Sequence, residues 1–383
     1  MTSLTDEQLE LRSAVRRAID GSSGSRMFLQ DSESGTIPHD PELWQVLSKE
    51  IGVSGLLIPA SDDGPEGTFA DAAIVAAELG ASLSPVPFLS TVALATSVLR
   101  LTDNNGHGPG LLRRIGEGDT IATVACFDTS GSWDASSRDV SATSEPDGWT
   151  LTGRKRFVLD AGICDLVLLA ASTPDGPRLF AVETAAANVS VDWSISLDKT
   201  RAFGSVALDG ARAEVVEIAD DLAEMFDIAR AMALALLAAE QVGAAQRCLD
   251  GAVDYSKQRI QFDRKIGSFQ AIKHTLVNVL LRVEFARSAA AEAVAAVDKY
   301  LIDPGPATRK QMDLLSAIAK SVCSDAFMFA ADETLHVYGG LGFTWEHDSH
   351  LYFRRAKATE LMFGSPAAYR ETVAATAGLI GAR

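Results

Sequence analysis

Tyr255-Ser-Lys-Gln-Arg-Ile-Gln-Phe-Asp-Arg-Lys-Ile-Gly-Ser-Phe-Gln-Ala-Ile-Lys-His274 decides how the chain is divided, because it lies between long runs of helical periodicity. Before it an Ala-rich segment runs from about Leu222 through Tyr255. After it come Ala271 to Tyr300, Lys310 to Tyr338 and Phe353 to Met362. Helices of about 25 to 30 residues joined by short breaks predict a bundle. Asp303-Pro-Gly-Pro306 is a clear breaker between two of them.

Outward from the bundle, the N-terminal part is also helical. Thr5 and Gln8 are spaced as a capping box, Leu4 and Leu9 as a hydrophobic staple, and Leu11, Val15 and Ile19 follow at intervals of four, so a helix starts near Asp6. Leu43 to Ile51, Phe69 to Leu79 and Thr91 to Leu101 repeat this character, separated by punctuation such as Ser61-Asp-Asp-Gly-Pro-Glu-Gly67. Between the two helical parts the runs become short and bounded by turn residues: Thr120 to Phe127, Gly148 to Leu151, Arg156 to Leu159, Leu166 to Ala170, Arg178 to Val182 and Ser205 to Leu208. The fold class is α+β: an N-terminal all-α domain (1–118), a central β-barrel or sandwich (119–219) and a C-terminal four-helix bundle (220–383).

Composition narrows the function. The 383 residues are 47% hydrophobic, enough for two or three buried cores. With 34 basic against 51 acidic residues the net charge is −17, which excludes binding of nucleic acid or an anionic membrane by bulk charge, so an anionic ligand needs a local cluster of cations. Cys126, Cys164, Cys248 and Cys323 are far apart and show neither zinc nor disulfide spacing, which fits a reducing cytoplasm. The first twenty residues carry charges throughout and no apolar core, and the richest apolar run, Ala229 to Ala239, is too short to span a bilayer. The expected location is cytoplasmic, with no membrane role and no metal.

The spacing of Tyr255, Arg259, Phe262, Ile266-Gly267, Phe269-Gln270 and His274 closely resembles a C-terminal signature of the acyl-CoA dehydrogenase family. Leu335-His-Val-Tyr-Gly-Gly-Leu-Gly-Phe-Thr-Trp-Glu-His-Asp-Ser-His-Leu-Tyr-Phe-Arg-Arg-Ala-Lys357 resembles its second, a Gly-Gly turn followed by an Arg-containing helix. Asp147-Gly-Trp-Thr-Leu-Thr-Gly-Arg-Lys-Arg-Phe157 is similar to the hairpin and strand that precede the flavin. The resemblance covers the whole chain and implies FAD as cofactor and an acyl-CoA as substrate. The reaction it implies needs a carboxylate base, a flavin to accept hydride and donors that polarise the thioester.

What the resemblance implies for single residues is specific. Arg259 and Phe262 match positions that one subunit offers to the pyrophosphate and rings of FAD held by its neighbour, and a guanidinium fork suits a pyrophosphate. Gln270 and His336, inside the same signatures, join that set. Gly339 and Gly340 match the place where backbone approaches the adenosine end. Taken singly, Arg259, Phe262 and the two glycines read better as a surface ion pair, a core aromatic and a plain helix C-cap; inside the joint signature the cofactor reading prevails.

The sequence also departs from the family. The Thr-Glu-Pro-x-x-Gly-Ser-Asp-like segment reads Cys126-Phe-Asp-Thr-Ser-Gly-Ser-Trp133, with Asp128 altered and Thr129, Ser130 and Ser132 left as hydroxyl donors. The aromatic-Ile-[Thr/Ser]-Asn segment reads Phe157-Val-Leu-Asp160, so Leu159 replaces the hydroxyl beside the flavin. Both customary positions of the glutamate base are empty, one being Phe363 before Gly364 and the other Ala233. Glu240, seven residues beyond Ala233 on the same helix face, is the candidate base; in apolar Ala238-Ala-Glu-Gln-Val-Gly243 its pKa would rise. The alternative is a buried Glu paired with an arginine such as Arg230 or Arg247. Glu346, Glu360 and His336 are weaker candidates, and His347-Asp348-Ser349-His350 reads as a helix start rather than a metal site.

The expected function is FAD-dependent α,β-desaturation of an acyl-CoA thioester, a steroid-derived or otherwise bulky acyl chain being within its range, with electrons passing to an electron-transfer flavoprotein. The alternative is a catalytically silent subunit that completes the FAD site of an active paralogue. The assembly is then a homotetramer or an α2β2 heterotetramer.

Overall fold

The computed structural model describes residues 4–22, 37–59, 67–103, 106–128, 131–133, 139–218 and 221–380. Thr129, Ser130 and most of the Gly/Pro-rich stretch after Ser61 lie outside the described residues.

The N-terminal helices start where local chemistry places them. α1 (Asp6–Gly21) opens with the reciprocal Thr5/Gln8 capping box, and α3 (Phe69–Ser82) opens with the same device made by Thr68 and Asp71. Between them α2 (Pro41–Gln45) runs into a π-helical turn, Val46–Ile51. A second π-helical segment, Leu89–Thr96, continues into α4 (Ser97–Leu99) and is buried along its whole length. α5 (Gly108–Gly116) leads into the strands.

Seven strands follow: β1 (Ala122–Ala125), β2 (Val140–Glu145), β3 (Gly148–Leu159), β4 (Leu166–Thr173), β5 (Gly176–Glu183), β6 (Val189–Ser194) and β7 (Phe203–Val216). The pairings β4–β5, β5–β7, β7–β3 and β3–β2 return to β4 through Ser141 and Ser172, so the sheet closes on itself; β1 adds to β4 and β6 to β7. The two short runs expected at 148–151 and 156–159 are one strand, broken in register after Leu151 and again between Lys155 and Val158. β2 and β6 escape the sequence reading because their outward positions are polar and their apolar residues few.

The C-terminal part begins with α6 (Leu222–Gln258), followed by a two-residue-turn hairpin of β8 (Ile260–Gln261) and β9 (Arg264–Lys265). α7 (Gln270–Ile302), α8 (Pro306–Tyr338), α9 (Ser349–Leu361) and α10 (Pro366–Thr376) complete it. The Asp303-Pro-Gly-Pro306 break falls between α7 and α8 as its proline and glycine chemistry requires. The stretch Pro306–Phe343, which contains α8, has the length and mean hydropathy (1.4) of a membrane-crossing segment, yet 61% of its most apolar window is buried inside this fold.

α6 is buried on nearly every side because it is wedged among α3, α7 and α8. The crossing with α3 is backbone against backbone. A Cβ on Gly80 would lie 2.1 Å from the Glu240 carbonyl oxygen, and one on Gly243 would lie 1.9 Å from that of Ala77. Two glycines thus set the N-terminal helices directly on the α6 segment that carries Glu240.

Candidate active site and flavin interface

Glu240 is 7% exposed, and it does not sit in the apolar pocket expected of it. Arg201 Nη2 donates to its Oε2 at 2.6 Å and Arg355 Nη1 donates to its Oε1 at 3.0 Å. Arg355 is itself buried, donates through Nε to Asp198, and donates through Nη2 to both oxygens of Thr200. Asp198 in turn accepts from the Thr200 backbone N–H and hydroxyl. The partners are therefore Arg201 and Arg355, not the Arg230 or Arg247 of the sequence reading. Neither was visible in advance. Arg201 lies in the loop between β6 and β7, and Arg355 reaches the core only because it shares a face of α9 with buried Leu351 and Thr359, at intervals of four.

Two guanidinium groups holding one carboxylate, one on each oxygen, fix its geometry. The cluster joins the sheet, α6 and α9. A third carboxylate adjoins it: Asp160, at the end of β3, accepts from Ser90 Oγ at 2.6 Å. Burial raises the Asp160 pKa to about 6, opposed by Ser90, Arg201 and Arg355 and reinforced by Glu240.

Phe363 is buried among rings. It stacks on Phe127 (centroids 5.8 Å apart, 14° between planes) and meets Trp133 edge-on at 5.7 Å; Trp133 also contacts Phe226 at 6.1 Å. Its backbone has φ +60°, a left-handed conformation that a bulky residue adopts only under constraint, and Tyr369 Oη donates to its carbonyl oxygen at 2.7 Å. Leu159, which the resemblance sets where a hydroxyl was expected, is 3% exposed and packs into the main core. Asp128 organises its own turn, accepting the Ser132 N–H on Oδ1 at 2.9 Å.

The hairpin after α6 has the opposite character. Phe262 and Asp263 both have positive φ, the signature of a tight hairpin turn. The turn throws Phe262 outward, 86% exposed. Arg259 is exposed, and its side chain has no hydrogen bond or ion pair with any described residue; its backbone is engaged at both ends, the N–H donating to the Tyr255 carbonyl and the carbonyl accepting from the Ile266 N–H, each at 2.9 Å. Gln270 begins α7 and is exposed. Along α7, Val277, Leu281 and Phe285 form an exposed apolar stripe at intervals of four.

The remaining candidates fall around the second signature. His336 is exposed near the end of α8, its Nδ1 2.9 Å from the Asp332 carbonyl oxygen and its ring edge-on to Phe343. Gly339 takes φ +61°, which favours glycine, and a Cβ built on either Gly339 or Gly340 would have no neighbour within 4 Å. Glu360 pairs with Lys357 at 2.7 Å. Asp348 is the N-cap residue of α9, and His347 Nδ1 accepts the Ser349 N–H at 3.1 Å, so the His-Asp-Ser-His run does mark a helix start. Among the described residues no group of His, Cys, Asp and Glu is arranged to hold a metal ion.

These two sides test the chain against FAD differently. The outward arm fits: an unengaged guanidinium for a pyrophosphate, an exposed ring beside it, and open space over Gly340. The inward side does not fit in the same way, since Leu159 is packed in the core and Phe363 is enclosed by Phe127 and Trp133.

The profile of the acyl-CoA dehydrogenase C-terminal domain matches residues 222–378, and that of the N-terminal domain matches residues 5–104. The acyl-CoA dehydrogenase IpdE2 of Mycolicibacterium smegmatis is 31% identical over 363 residues, 95% of this chain and 96% of that one. The chain belongs to the acyl-CoA dehydrogenase family, oxidoreductases whose cofactor is FAD. Among solved structures, a variant of the Tcur3481-Tcur3483 steroid ACAD superposes with a TM-score of 0.82 at 24% identity, covering 98% of each chain. The ChsE4-ChsE5 complex of Mycobacterium tuberculosis superposes at 0.79, also with 24% identity, covering 99% of each chain.

Proposed function

We propose that this chain is the base-less subunit of a hetero-oligomeric acyl-CoA dehydrogenase, completing the FAD site of a paralogous neighbour. The observation that carries this is the asymmetry between its two faces. Arg259 and Phe262 are exposed, the Arg259 side chain without a partner among the described residues and the Phe262 ring edge-on to Phe269, with Gln270, His336, Gly339 and Gly340 completing the offered set. Phe363, at the position of the base, is locked in an aromatic cluster. The exposed stripe of Val277, Leu281 and Phe285 supplies an apolar surface for association through the bundle.

In this assembly a carboxylate of the neighbour removes the proton next to the thioester. Bound FAD supplies hydride acceptance from the next carbon. Arg259 would hold the pyrophosphate and neutralise its charge, and Phe262 would offer its exposed ring to the cofactor. An α2β2 tetramer with two FAD molecules is the simplest closed arrangement, and in it Thr129 and Ser130 of this chain need no cofactor role. Two of the structural relatives are named as paired chains, and one is called a steroid enzyme; a bulky, steroid-derived acyl-CoA is the substrate we assign, with an electron-transfer flavoprotein as acceptor. The absorbance spectrum and FAD-to-chain ratio, measured for the chain alone and with its paralogue, test this. Fewer FAD molecules than chains is the expected result; one FAD per chain in the protein purified alone, with flavin reduced by an acyl-CoA, overturns it.

The competing reading makes Glu240 the base of a self-sufficient homotetramer. It draws on the burial of Glu240 on the face of α6 that also carries Ala233. It requires the carboxylate to break from Arg201 and Arg355 before it can take a proton.

A further inference from the structure

A base that removes the proton next to a thioester must touch that carbon, so the thioester of any acyl-CoA bound by this chain would lie against residue 363. A cleft of about 540 Å³ does open beside Phe363, lined among others by Trp133, Arg230, Arg309 and Tyr369. Its inner wall is the aromatic cluster. Phe363 and Phe127 are stacked, Trp133 closes on both, and Phe226 backs Trp133. The conformation of Phe363 is a strained one, and the rings together with the Tyr369 hydrogen bond to its carbonyl hold it there.

The cations of the cleft are engaged as well. Arg230 pairs with Asp227 at 3.0 Å, and Arg309 pairs with Asp313 at 2.8 Å and with Glu224 at 3.5 Å. A polyanionic coenzyme would have to compete with these carboxylates for both arginines.

We propose that Phe363, with Phe127, Trp133 and Phe226, is an internal plug that excludes an acyl thioester from this chain's own cleft. Phe363 is then a residue of exclusion rather than a lost catalytic residue. The idea rests on the partner-subunit reading, and it adds that this chain binds no substrate of its own.

The test counts sites for S-hexanoyl-pantetheine by calorimetry on the purified native assembly, a probe without phosphates that examines the plug apart from the cations. Wild-type protein should show as many sites as there are partner chains. Phe363→Ala with Trp133→Ala in this chain should add one site per copy, while Phe363→Trp, which keeps a ring in place, should add none. Sites equal to all chains in the wild type overturn the proposal, as does an Ala/Ala variant with wild-type circular dichroism that gains no site. FAD counted on the same sample separates the two readings: FAD equal to all chains sinks the partner-subunit reading, whereas the site count alone decides the plug.

Discussion

Glu240→Gln exchanges one carboxylate oxygen for an amide nitrogen and removes the negative charge. In the folded chain the two oxygens accept from two different arginines, at 2.6 and 3.0 Å. The amide can accept from only one of them, and its NH2 faces the N–H donors of the other. Arg201 then keeps no carboxylate partner among the described residues, and Arg355 keeps Asp198 alone. Breaking a buried ion pair by removing one partner destabilises by about 3 to 5 kcal/mol, because the remaining charge stays buried and uncompensated. We therefore expect a loss of that order in urea denaturation of the assembly. Pairing the change with Arg355→Gln should cost about 0.5 to 3 kcal/mol less than the sum of the two single changes, since the two residues share one network. Dehydrogenation by the reassembled enzyme, corrected for the folded fraction, should be retained. Unchanged stability together with abolished proton abstraction would refute this reasoning and establish Glu240 as the base.

Other outcomes follow from particular side chains. The Asp160 pKa is raised from 3.8 to about 6, so this carboxyl adds stability that is fully present below pH 3.8 and is lost as pH rises through 6. Asp160→Asn, which keeps an acceptor for Ser90, should match the wild type near pH 4 and exceed it by up to about 3 kcal/mol at pH 8, at 1.36 kcal/mol per pKa unit; denaturation midpoints that fall together across that range would contradict it. Arg259→Ala should lower FAD occupancy of the assembly through loss of a charge-assisted bond of roughly 1.5 to 3 kcal/mol without changing the melting of the isolated chain, and unchanged occupancy would make Arg259 a simple surface residue. Phe285→Asp, in the middle of the exposed α7 stripe, should reduce the oligomer mass seen in sedimentation; a tetramer unaffected by it would place the interface elsewhere.

The order of helices, strands and helices was legible in the sequence because it depends on local rules. The capping box at Thr5, the proline break before α8 and the helical period of α6 each act within a few residues, and the paired signatures around Arg259 and Gly339 carried the family. Polar strands β2 and β6 were missed because their stability comes from neighbours in the sheet rather than from their own composition. The exposure of Phe262 follows from a hairpin turn that sequence spacing does not reveal. The pairing of Glu240 with arginine was read only as the alternative and with other arginines, for a similar reason. Its neighbours along the helix are apolar, but Arg201 arrives from a loop 39 residues earlier and Arg355 from a helix 115 residues later. Sequence by itself determined the order of helical, β and helical parts and the family. Only the tertiary structure decided what surrounds Glu240 and Phe363, because burial, ion pairing and ring stacking depend on distances between segments that the chain brings together only when folded.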